Sequence, residues 1–215
     1  VITIFLFLCG HRPVFFSQIR CISMTKEKRI YKFRSMNAKK VKRYLNSEYL
    51  KNERKTGFTS IDPSTGVYTK IGSIMELFKL VELPEIFYVM KGDLSMVGNR
   101  PLPPYLQIKL EENHPKAKDR LLTKAGIFGV IQMAGRQNFN PEERVNLESL
   151  YSRIQSKNYS FKLDLIILII SFLRIAKLNL INNHNEIYMI LNDNSFRTLG
   201  RLINIKINAS KPIKK

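Results

Sequence analysis

Few cysteines and few acidic residues occur in this sequence, and each shortage narrows the class of protein that it can encode. The two cysteines, Cys9 and Cys21, stand in different contexts without a partnering histidine motif, which excludes a disulfide framework and leaves a zinc site without support. We therefore expect a reduced domain that faces the cytoplasm. The 17 Asp+Glu are outnumbered by 36 Lys+Arg, for a formal net charge of +19, so the surface should attract nucleic acids, anionic lipids or phosphorylated substrates.

Long hydrophobic runs are missing as well. Residues 1–8 are almost wholly apolar, but a helix needs ~20 such residues to cross the hydrocarbon core of a membrane. No basic residue precedes this run and no small-residue cleavage site follows it, so a signal peptide is not expected. We interpret residues 1–12 as the remnant of a membrane-inserted helix, with His11 and Arg12 at the level of the lipid headgroups.

No dinucleotide or P-loop fingerprint is present, so a nucleotide site would have to be built in another way. Glycines are nevertheless dense between Arg120 and Asn138, where Lys124, Gln132 and Arg136 are interleaved with them. Glycines at this density let backbone amides and cations approach a phosphate or a nucleotide closely. They could equally serve as turn glycines, and the residues alone leave both interpretations open.

The remaining pattern predicts an α+β fold, mostly helical with a small β element. Strands are expected at residues 13–23 and 30–36, and helices at 37–55, 105–112, 141–156 and 163–176. The last of these is too short to span a membrane and is predicted to be a core helix or an interfacial one. Beyond Lys177 the composition shifts to Asn, Ile and Lys, which favours a β-prone or partly disordered segment.

Basic residues of the second strand and of the first helix have two possible roles. Alternation along the strand puts Lys32 and Arg34 on one face together with Ile30. That face could bind phosphate or could be an ordinary solvated strand face. The basic helix at residues 37–55 could likewise lie on an anionic membrane surface or simply face solvent.

Chemistry-bearing residues concentrate in residues 69–104. An apolar helical pattern leads to Glu82, and a second amphipathic turn leads into a loop that holds Asp93 and Arg100. Ionised groups remain near a core only when they are paired, hydrogen-bonded or metal-bound. Two acids and an arginine on loops between apolar helices therefore predict a metal and phosphate site.

Several segments occur in an order that resembles one known family. They read PVFFSQIR, IYKFRSM, ELPEIFYVMKGDLSMVGNRP, LLTKAGIFGVIQMAGRQN and LDLIIL. In this order they resemble the bacterial sugar transferases, the monotopic polyprenyl-phosphate phosphoglycosyltransferases. The resemblance covers residues 1–177, with residues 13–177 as the catalytic domain, and leaves residues 178–215 as an appendage.

The resemblance implies a re-entrant helix in one leaflet of the bacterial inner membrane and a catalytic domain on its cytoplasmic face. It implies transfer of sugar-1-phosphate from a nucleotide diphosphate sugar to undecaprenyl (polyprenyl) phosphate, which begins exopolysaccharide, capsule or lipopolysaccharide O-antigen synthesis. In that family an adjacent Asp-Glu pair works with Mg²⁺, and the aspartate attacks phosphorus. Nucleic acid is not an expected partner, because the positive net charge is the only feature of the sequence that favours nucleic-acid binding.

Motif by motif, the resemblance carries roles over to individual residues. Glu82 matches the glutamate of the pair and is the expected catalytic residue and Mg²⁺ ligand. The other matches are to positions for phosphate binding (Arg100 and Arg34), for nucleotide-sugar binding (Lys124, Gln132 and Arg136) and for support of the Lys-Gly-Asp loop (Asp93).

Departures from the family pattern affect the chemistry directly. Val81 stands before Glu82, where the family has its aspartate nucleophile, and valine can neither attack phosphorus nor bind a metal. Glu76 stands where arginine is usual and reverses its charge, while Asn99 and Ala125 replace prolines. The sequence therefore leaves two hypotheses: a working transferase, or an inactive copy that binds lipid phosphate or nucleotide sugar as a pseudoenzyme or remnant.

Overall fold

The computed structural model describes Thr3 and residues 13–45, 65–193 and 195–209. Apart from Thr3, the predicted membrane-helix remnant lies outside these residues. The strands are β1 (Phe15–Ser23), β2 (Lys26–Phe33), β3 (Ser95–Val97) and β4 (Gly126–Phe128). The helices are α1 (Ala38–Leu45), α2 (Lys70–Leu77), α3 (Ile86–Met90), α4 (Pro104–Asn113), α5 (Val130–Ala134), α6 (Pro141–Lys157), α7 (Phe161–Ile175), α8 (His184–Asp193) and α9 (Phe196–Ala209), with 3-10 helices η1 (Leu80–Glu85), η2 (Pro115–Leu121) and η3 (Arg136–Asn138).

The predicted α+β class is confirmed, because helices dominate and the strands form small two-stranded sheets, β1-β2 and β3-β4. Within the described ranges, no helix has the length and apolar character that a membrane span requires. The chain divides into two compact units. Unit 1 consists of Val1–Met96 and Pro101–Pro115, and unit 2 of Val97–Arg100 and Lys116–Lys215.

An antiparallel hairpin of β1 and β2 forms the sheet of unit 1, with Phe15 opposite Phe33 and Gln18 opposite Ile30. The second strand begins at Lys26, earlier than predicted, because its charged first half gives no apolar alternation. The predicted helix at residues 37–55 is present as α1, and its second half lies outside the described residues. The hairpin is therefore the small β element that the sequence predicted.

A tight approach fixes helix α2 against the chain that follows β2. The Thr69 side chain caps α2 by accepting a hydrogen bond from the Gly72 amide at 2.9 Å. A Cβ atom at Gly72 would collide with the backbone carbonyl of Ser35, so only glycine fits at this position. The helix then buries Met75, which belongs to a small apolar cluster with Phe33 and Val81.

Helices α6 and α7 form the centre of unit 2. Asn140 and Glu143 form a reciprocal capping box with Pro141 in the first turn, as the sequence predicted for this start. Helix α7 buries Leu163, together with Ile166, Ile167 and Ile170, at 0% exposure. Of the two alternatives for this segment, the core helix is the one that the structure shows.

One acid lies within that apolar helix. Asp164 is buried, and its carboxylate accepts hydrogen bonds from Tyr151 at 2.9 Å, Gln155 at 2.6 Å and Tyr159 at 3.1 Å. Burial raises the pKa of Asp164, while these hydrogen bonds oppose the rise. Because its oxygens are satisfied, this acid ties α6 to α7 without disrupting the core.

The β-prone or disordered prediction for the chain beyond Lys177 is wrong for residues 184–193 and 196–209, which form α8 and α9. These helices add Ile187, Ile190, Leu191, Leu199 and Leu202 to the core of unit 2. The spacing of these residues is helical, but the Asn- and Ile-rich composition concealed it. Asn183 and Glu186 also exchange capping hydrogen bonds at the start of α8.

Candidate active site

The predicted glutamate, Glu82, lies on η1, which packs against strand β2. Between α2 and η1 the chain turns at Lys79, whose φ of 58° is uncommon for a residue other than glycine. Lys32 of β2 places its Nζ 3.2 Å from Glu82 Oε1 and 2.7 Å from Glu85 Oε1. Both carboxylates therefore converge on one ammonium group, which marks a position for a cation.

Burial makes this ion-pair cluster electrostatically strong. Lys32 is 9% exposed and Glu85 is 1% exposed, while the side chain of Glu82 is 12% exposed. Charges removed from water must be paired, since each would otherwise pay a large desolvation penalty. Lys32 thus forms an ion pair with each acid, and we call the three residues the Lys32 cluster.

Sequence reasoning missed Glu85. It stands three positions after Glu82 in a 3-10 helix, where residues three apart lie on the same face. That spacing could have indicated a second carboxylate. The shared use of Lys32, which is 50 residues away from Glu82 along the chain, could not be read from local spacing.

Arg34 has different contact partners from Lys32, although strand alternation predicted that both side chains lie on the same face. Its Nε donates to the carbonyl of Pro13 at 3.0 Å, and its guanidinium lies 5.9 Å from the ring of Phe16. These contacts tie Arg34 to the start of β1. A phosphate bound by Arg34 would have to share the guanidinium with the Pro13 carbonyl.

Val81 is 5% exposed and packs with Val14, Phe33 and Met75. Its side chain belongs to the apolar core of unit 1. Glu76, the other departure from the family pattern, accepts a hydrogen bond from the Ser35 hydroxyl at 2.8 Å. Both unusual residues are therefore integrated into the packing of unit 1.

Asp93 links its loop to the β-hairpin. Its carboxylate lies 2.6 Å from Lys26 Nζ and 2.9 Å from Lys28 Nζ. The hydrogen bond from Lys26, followed by that from Lys28, lowers the pKa of Asp93 from 3.8 to about 2. These ion pairs connect the loop to β2, and the loop-supporting role of Asp93 stays a prediction.

Asp93→Asn is expected to flatten the acid limb of the stability profile. Because the pKa of Asp93 is lowered to about 2 in the folded state from 3.8, its stabilisation is present above pH ~4 and is lost as pH falls towards ~2. Denaturant unfolding at several pH values would measure this. Glu27→Gln, at an exposed position of β2 between Lys26 and Lys28, serves as the control. An unchanged slope between pH 4 and 2 in Asp93→Asn would contradict the assignment.

In unit 2 a buried network holds the backbone of Arg100. Arg120 Nη2 donates to the Arg100 carbonyl at 3.2 Å, and Arg120 Nε donates to Glu148 Oε2 at 2.6 Å. Asn99, which replaces the usual proline, shares the two hydrogens of Nδ2 among the Arg120 carbonyl, the Glu148 carbonyl and Ser152 Oγ, which lie 3.1, 2.9 and 2.8 Å away. The network therefore fixes the residue expected to bind phosphate, and sequence reasoning missed Arg120 and Glu148.

Close packing of backbone explains two glycines of unit 2. A Cβ atom at Gly126 would collide with the backbone amide of Gly98, and the Gly126 amide donates to the Asn99 carbonyl at 3.0 Å. These glycines allow two chain segments to approach each other, whether or not a phosphate also lies nearby. Gln132 Nε2 donates to the Ile127 carbonyl at 2.8 Å, which orients its side chain.

The predicted site residues are distributed over both units. Glu82, Asp93 and Arg34 lie in unit 1. Unit 2 contains the phosphate-binding and nucleotide-sugar candidates Arg100, Lys124, Gln132 and Arg136. Lys124 is exposed, whereas Arg100 and Arg136 are half-buried.

Comparison with known proteins identifies the family. A family model described as bacterial sugar transferase matches residues 1–177. The chain belongs to this family. Among sugar transferase relatives, galactosyl transferase CpsE of Streptococcus agalactiae is 36% identical over 142 residues, covering 65% of this chain and 30% of the relative.

Two further sugar transferase relatives match a similar share of the chain. The uncharacterized sugar transferase EpsL of Bacillus subtilis is 34% identical over 157 residues, 73% of this chain and 66% of EpsL. The undecaprenyl-phosphate galactose phosphotransferase of Salmonella typhimurium is 34% identical over 143 residues, 64% of this chain and 28% of the relative. The chain thus spans between 28% and 66% of the length of these relatives.

The sugar transferase family implies Mg²⁺, and the Lys32 cluster tests whether it would fit. Mg²⁺ takes oxygen ligands and is commonly held by one or two carboxylates together with waters and substrate phosphates. Glu82 and Glu85 meet that requirement, since their Oε1 atoms converge on one ammonium. No larger group of metal-binding side chains exists in the described part of the chain. A Mg²⁺ ion held by these glutamates would share its site with Lys32 or displace it.

Proposed function

We propose that this chain is a copy of a sugar-1-phosphate transferase that retains substrate binding and has lost the covalent step. Its substrates would be a nucleotide diphosphate sugar, as the family resemblance implies, and a polyprenyl phosphate, in line with the name of the undecaprenyl-phosphate galactose phosphotransferase relative. The observation that carries the proposal is the burial of Val81 directly beside Glu82. Without a nucleophile at this position, phosphorus cannot form the covalent intermediate of the family mechanism.

Glu82 is a poor replacement for the missing nucleophile. Its carboxylate is paired with the ammonium of Lys32 at 3.2 Å, and the ion pair lowers the availability of its electrons for attack on phosphorus. We propose instead that Glu82 and Glu85 hold Mg²⁺, which would withdraw negative charge from the phosphate oxygens. Arg100 would hold phosphate through its planar fork, while Lys124, Gln132 and Arg136 would bind the nucleotide sugar.

Exposed apolar side chains on unit 1 support a membrane partner in this proposal. Ile74, Phe78 and Met90 are between 54% and 77% exposed. Exposed large apolar residues in such number are typical of surfaces that bind membranes or partners. Together with the net charge of +19, they favour an interfacial position on the anionic cytoplasmic face of the bacterial inner membrane.

A transfer assay tests the lost covalent step. The protein is incubated with radiolabelled nucleotide diphosphate sugars, Mg²⁺ and undecaprenyl phosphate, and lipid-linked product is extracted. We expect product at background level, because losing a covalent nucleophile removes several powers of ten in rate. Val81→Asp combined with Glu76→Arg is expected to raise product formation, because it restores the nucleophile and the cation of the family pattern. Robust wild-type product that Glu82→Ala abolishes would overturn the proposal.

Retained binding is measured separately by titration calorimetry with a uridine diphosphate sugar. We expect a measurable heat that Arg136→Ala diminishes, because the substitution removes a cation from the proposed nucleotide-sugar site. Arg153→Ala, which removes an exposed arginine paired with Asp119 on unit 2, is the matched control. Absence of any binding heat for the wild-type protein would show a remnant without substrate binding.

A further inference from the structure

Unit 1 contains a cleft of about 900 Å³ that none of the predicted site residues lines. Its walls are aromatic and aliphatic side chains of β1, β2, η1 and α3, among them Phe15, Tyr31, Phe33, Leu83, Pro84 and Phe87. A volume of this size lies near the upper end for small-molecule sites, which run to about 1,000 Å³. The cleft is thus large enough for a ligand well beyond the size of a phosphate ion.

The walls favour an apolar ligand over a sugar or a nucleobase. Phe15 and Phe33 stack with ring centroids 5.3 Å apart and present hydrocarbon surface. The hydroxyl of Tyr88, another wall residue, already donates to the carbonyl of Arg29 at 2.8 Å. A sugar or base would require several placed polar partners, whereas an alkyl or isoprenoid chain requires only apolar contact.

Basic residues stand among the apolar walls. Lys28, Arg29 and Lys91 all contribute to the lining, and of these Lys28 pairs with Asp93 at 2.9 Å. The exposed side chains of Arg29 and Lys91 leave the lining with an excess of positive charge. The ligand that matches both features is an apolar chain that ends in an anionic head.

We propose that this cleft binds the phosphate-bearing end of the polyprenyl phosphate, with its first isoprene units against the aromatic walls and its phosphate near Arg29 and Lys91. This inference rests on the proposed function, which names the lipid but not where it binds. A single linear chain suits one cleft, and a phosphate monoester, whose second pKa is near 6, brings up to about two negative charges. Leu83 and Pro84 of the wall directly follow Glu82, which connects the cleft to the Lys32 cluster along the chain.

The test uses farnesyl phosphate, a short polyprenyl phosphate, in zwitterionic vesicles, and measures binding of the 215-residue chain. Phe87→Ala and Lys91→Glu are each expected to weaken binding about tenfold, equivalent to about 1.4 kcal/mol. Tyr105→Ala and Lys70→Glu change exposed residues of unit 1 outside the cleft and are expected to leave binding within about twofold. Because all four positions are exposed, loss of folding is not expected to obscure the comparison.

Two further ligands show whether binding depends on the phosphate group of the lipid and whether an ordinary anionic headgroup can replace it. Farnesol, which lacks the phosphate, is expected to bind more weakly than farnesyl phosphate and to be insensitive to Lys91→Glu. Vesicles with phosphatidylglycerol in place of farnesyl phosphate are expected to show no dependence on Phe87. Equal losses in the cleft and control variants, or equal dependence on Phe87 with phosphatidylglycerol, would overturn the proposal. Since no readout requires transfer, cleft binding can stand or fail whatever the transfer assay shows.

Discussion

Lys32→Met is expected to lower the free energy of unfolding by about 3–5 kcal/mol at neutral pH, the cost of leaving buried charge without its partner. Lys32 is 9% exposed and lies within 3.2 Å of both Glu82 and Glu85. Methionine keeps the apolar stem but removes the ammonium, so two carboxylates would face each other in the protein. Urea unfolding of the wild type and the variant measures the difference.

A rescue variant and a control make this result specific. Adding Glu85→Gln to Lys32→Met removes one of the uncompensated charges and is expected to recover part of the loss. Lys26→Met removes an exposed lysine of the same strand whose partner Asp93 keeps Lys28, so its effect is expected to stay below about 1 kcal/mol. If Lys32→Met cost no more than Lys26→Met, the Lys32 cluster would not contribute as a buried ion pair.

The same variant also tests the place proposed for Mg²⁺. With the ammonium gone, a divalent cation could take its position between Glu82 and Glu85. Millimolar Mg²⁺ is then expected to raise the stability of Lys32→Met more than that of the wild type, because only ligands bound to the folded state stabilise it. Equal Mg²⁺ effects on both proteins would argue against the two glutamates as Mg²⁺ ligands.

Glu148→Ala is expected to destabilise unit 2 by about 3–5 kcal/mol, because it leaves the guanidinium of Arg120 buried and unpaired from its carboxylate. Arg120 is 1% exposed and Glu148 is 4% exposed. Thermal and urea unfolding measure the loss. The Arg100 backbone depends on the same arginine, so we also expect weaker binding of a uridine diphosphate sugar at temperatures where the variant is still folded.

An exposed pair between the same helices provides the control. Asp119 of η2 pairs with Arg153 of α6, and their side chains are 27% and 47% exposed. Asp119→Ala is expected to cost less than about 1 kcal/mol. Replacing the buried pair together, as Arg120→Met with Glu148→Leu, is expected to recover most of the stability but not the binding. A cost below about 1 kcal/mol for Glu148→Ala would show that the pair contributes little.

Helices whose own residues contain clear capping or burial signals were predictable from sequence. The start of α6 was predicted correctly because Asn140, Pro141 and the following acids each favour the same helix start. Burial of α7 followed from its apolar composition, although sequence alone could not choose between protein core and lipid. Neither α8 nor α9 was predicted, because the β-prone composition of this segment conceals the helical spacing of its apolar residues.

Residues of the candidate site were predictable from sequence only where a family motif or a regular helical spacing indicated them. The resemblance indicated Glu82 and Arg100, and 3-10 spacing could have added Glu85. Arg120 and Glu148 are separated by 28 residues, and no local rule pairs positions so far apart. The role of Asn99 was also hidden, since a departure from the family pattern does not show that the new side chain forms hydrogen bonds of its own.

Helices α8 and α9 determine what happens when the chain is truncated at residue 177. The match to the family ends at residue 177, yet α8 and α9 place Ile187, Ile190 and Leu199 in the apolar core shared with α6 and α7. A chain cut at the family boundary would expose the apolar surface that these helices cover, and exposed core surface promotes aggregation. In this chain, the part that matches the family therefore shares its apolar core with two helices that lie outside the match.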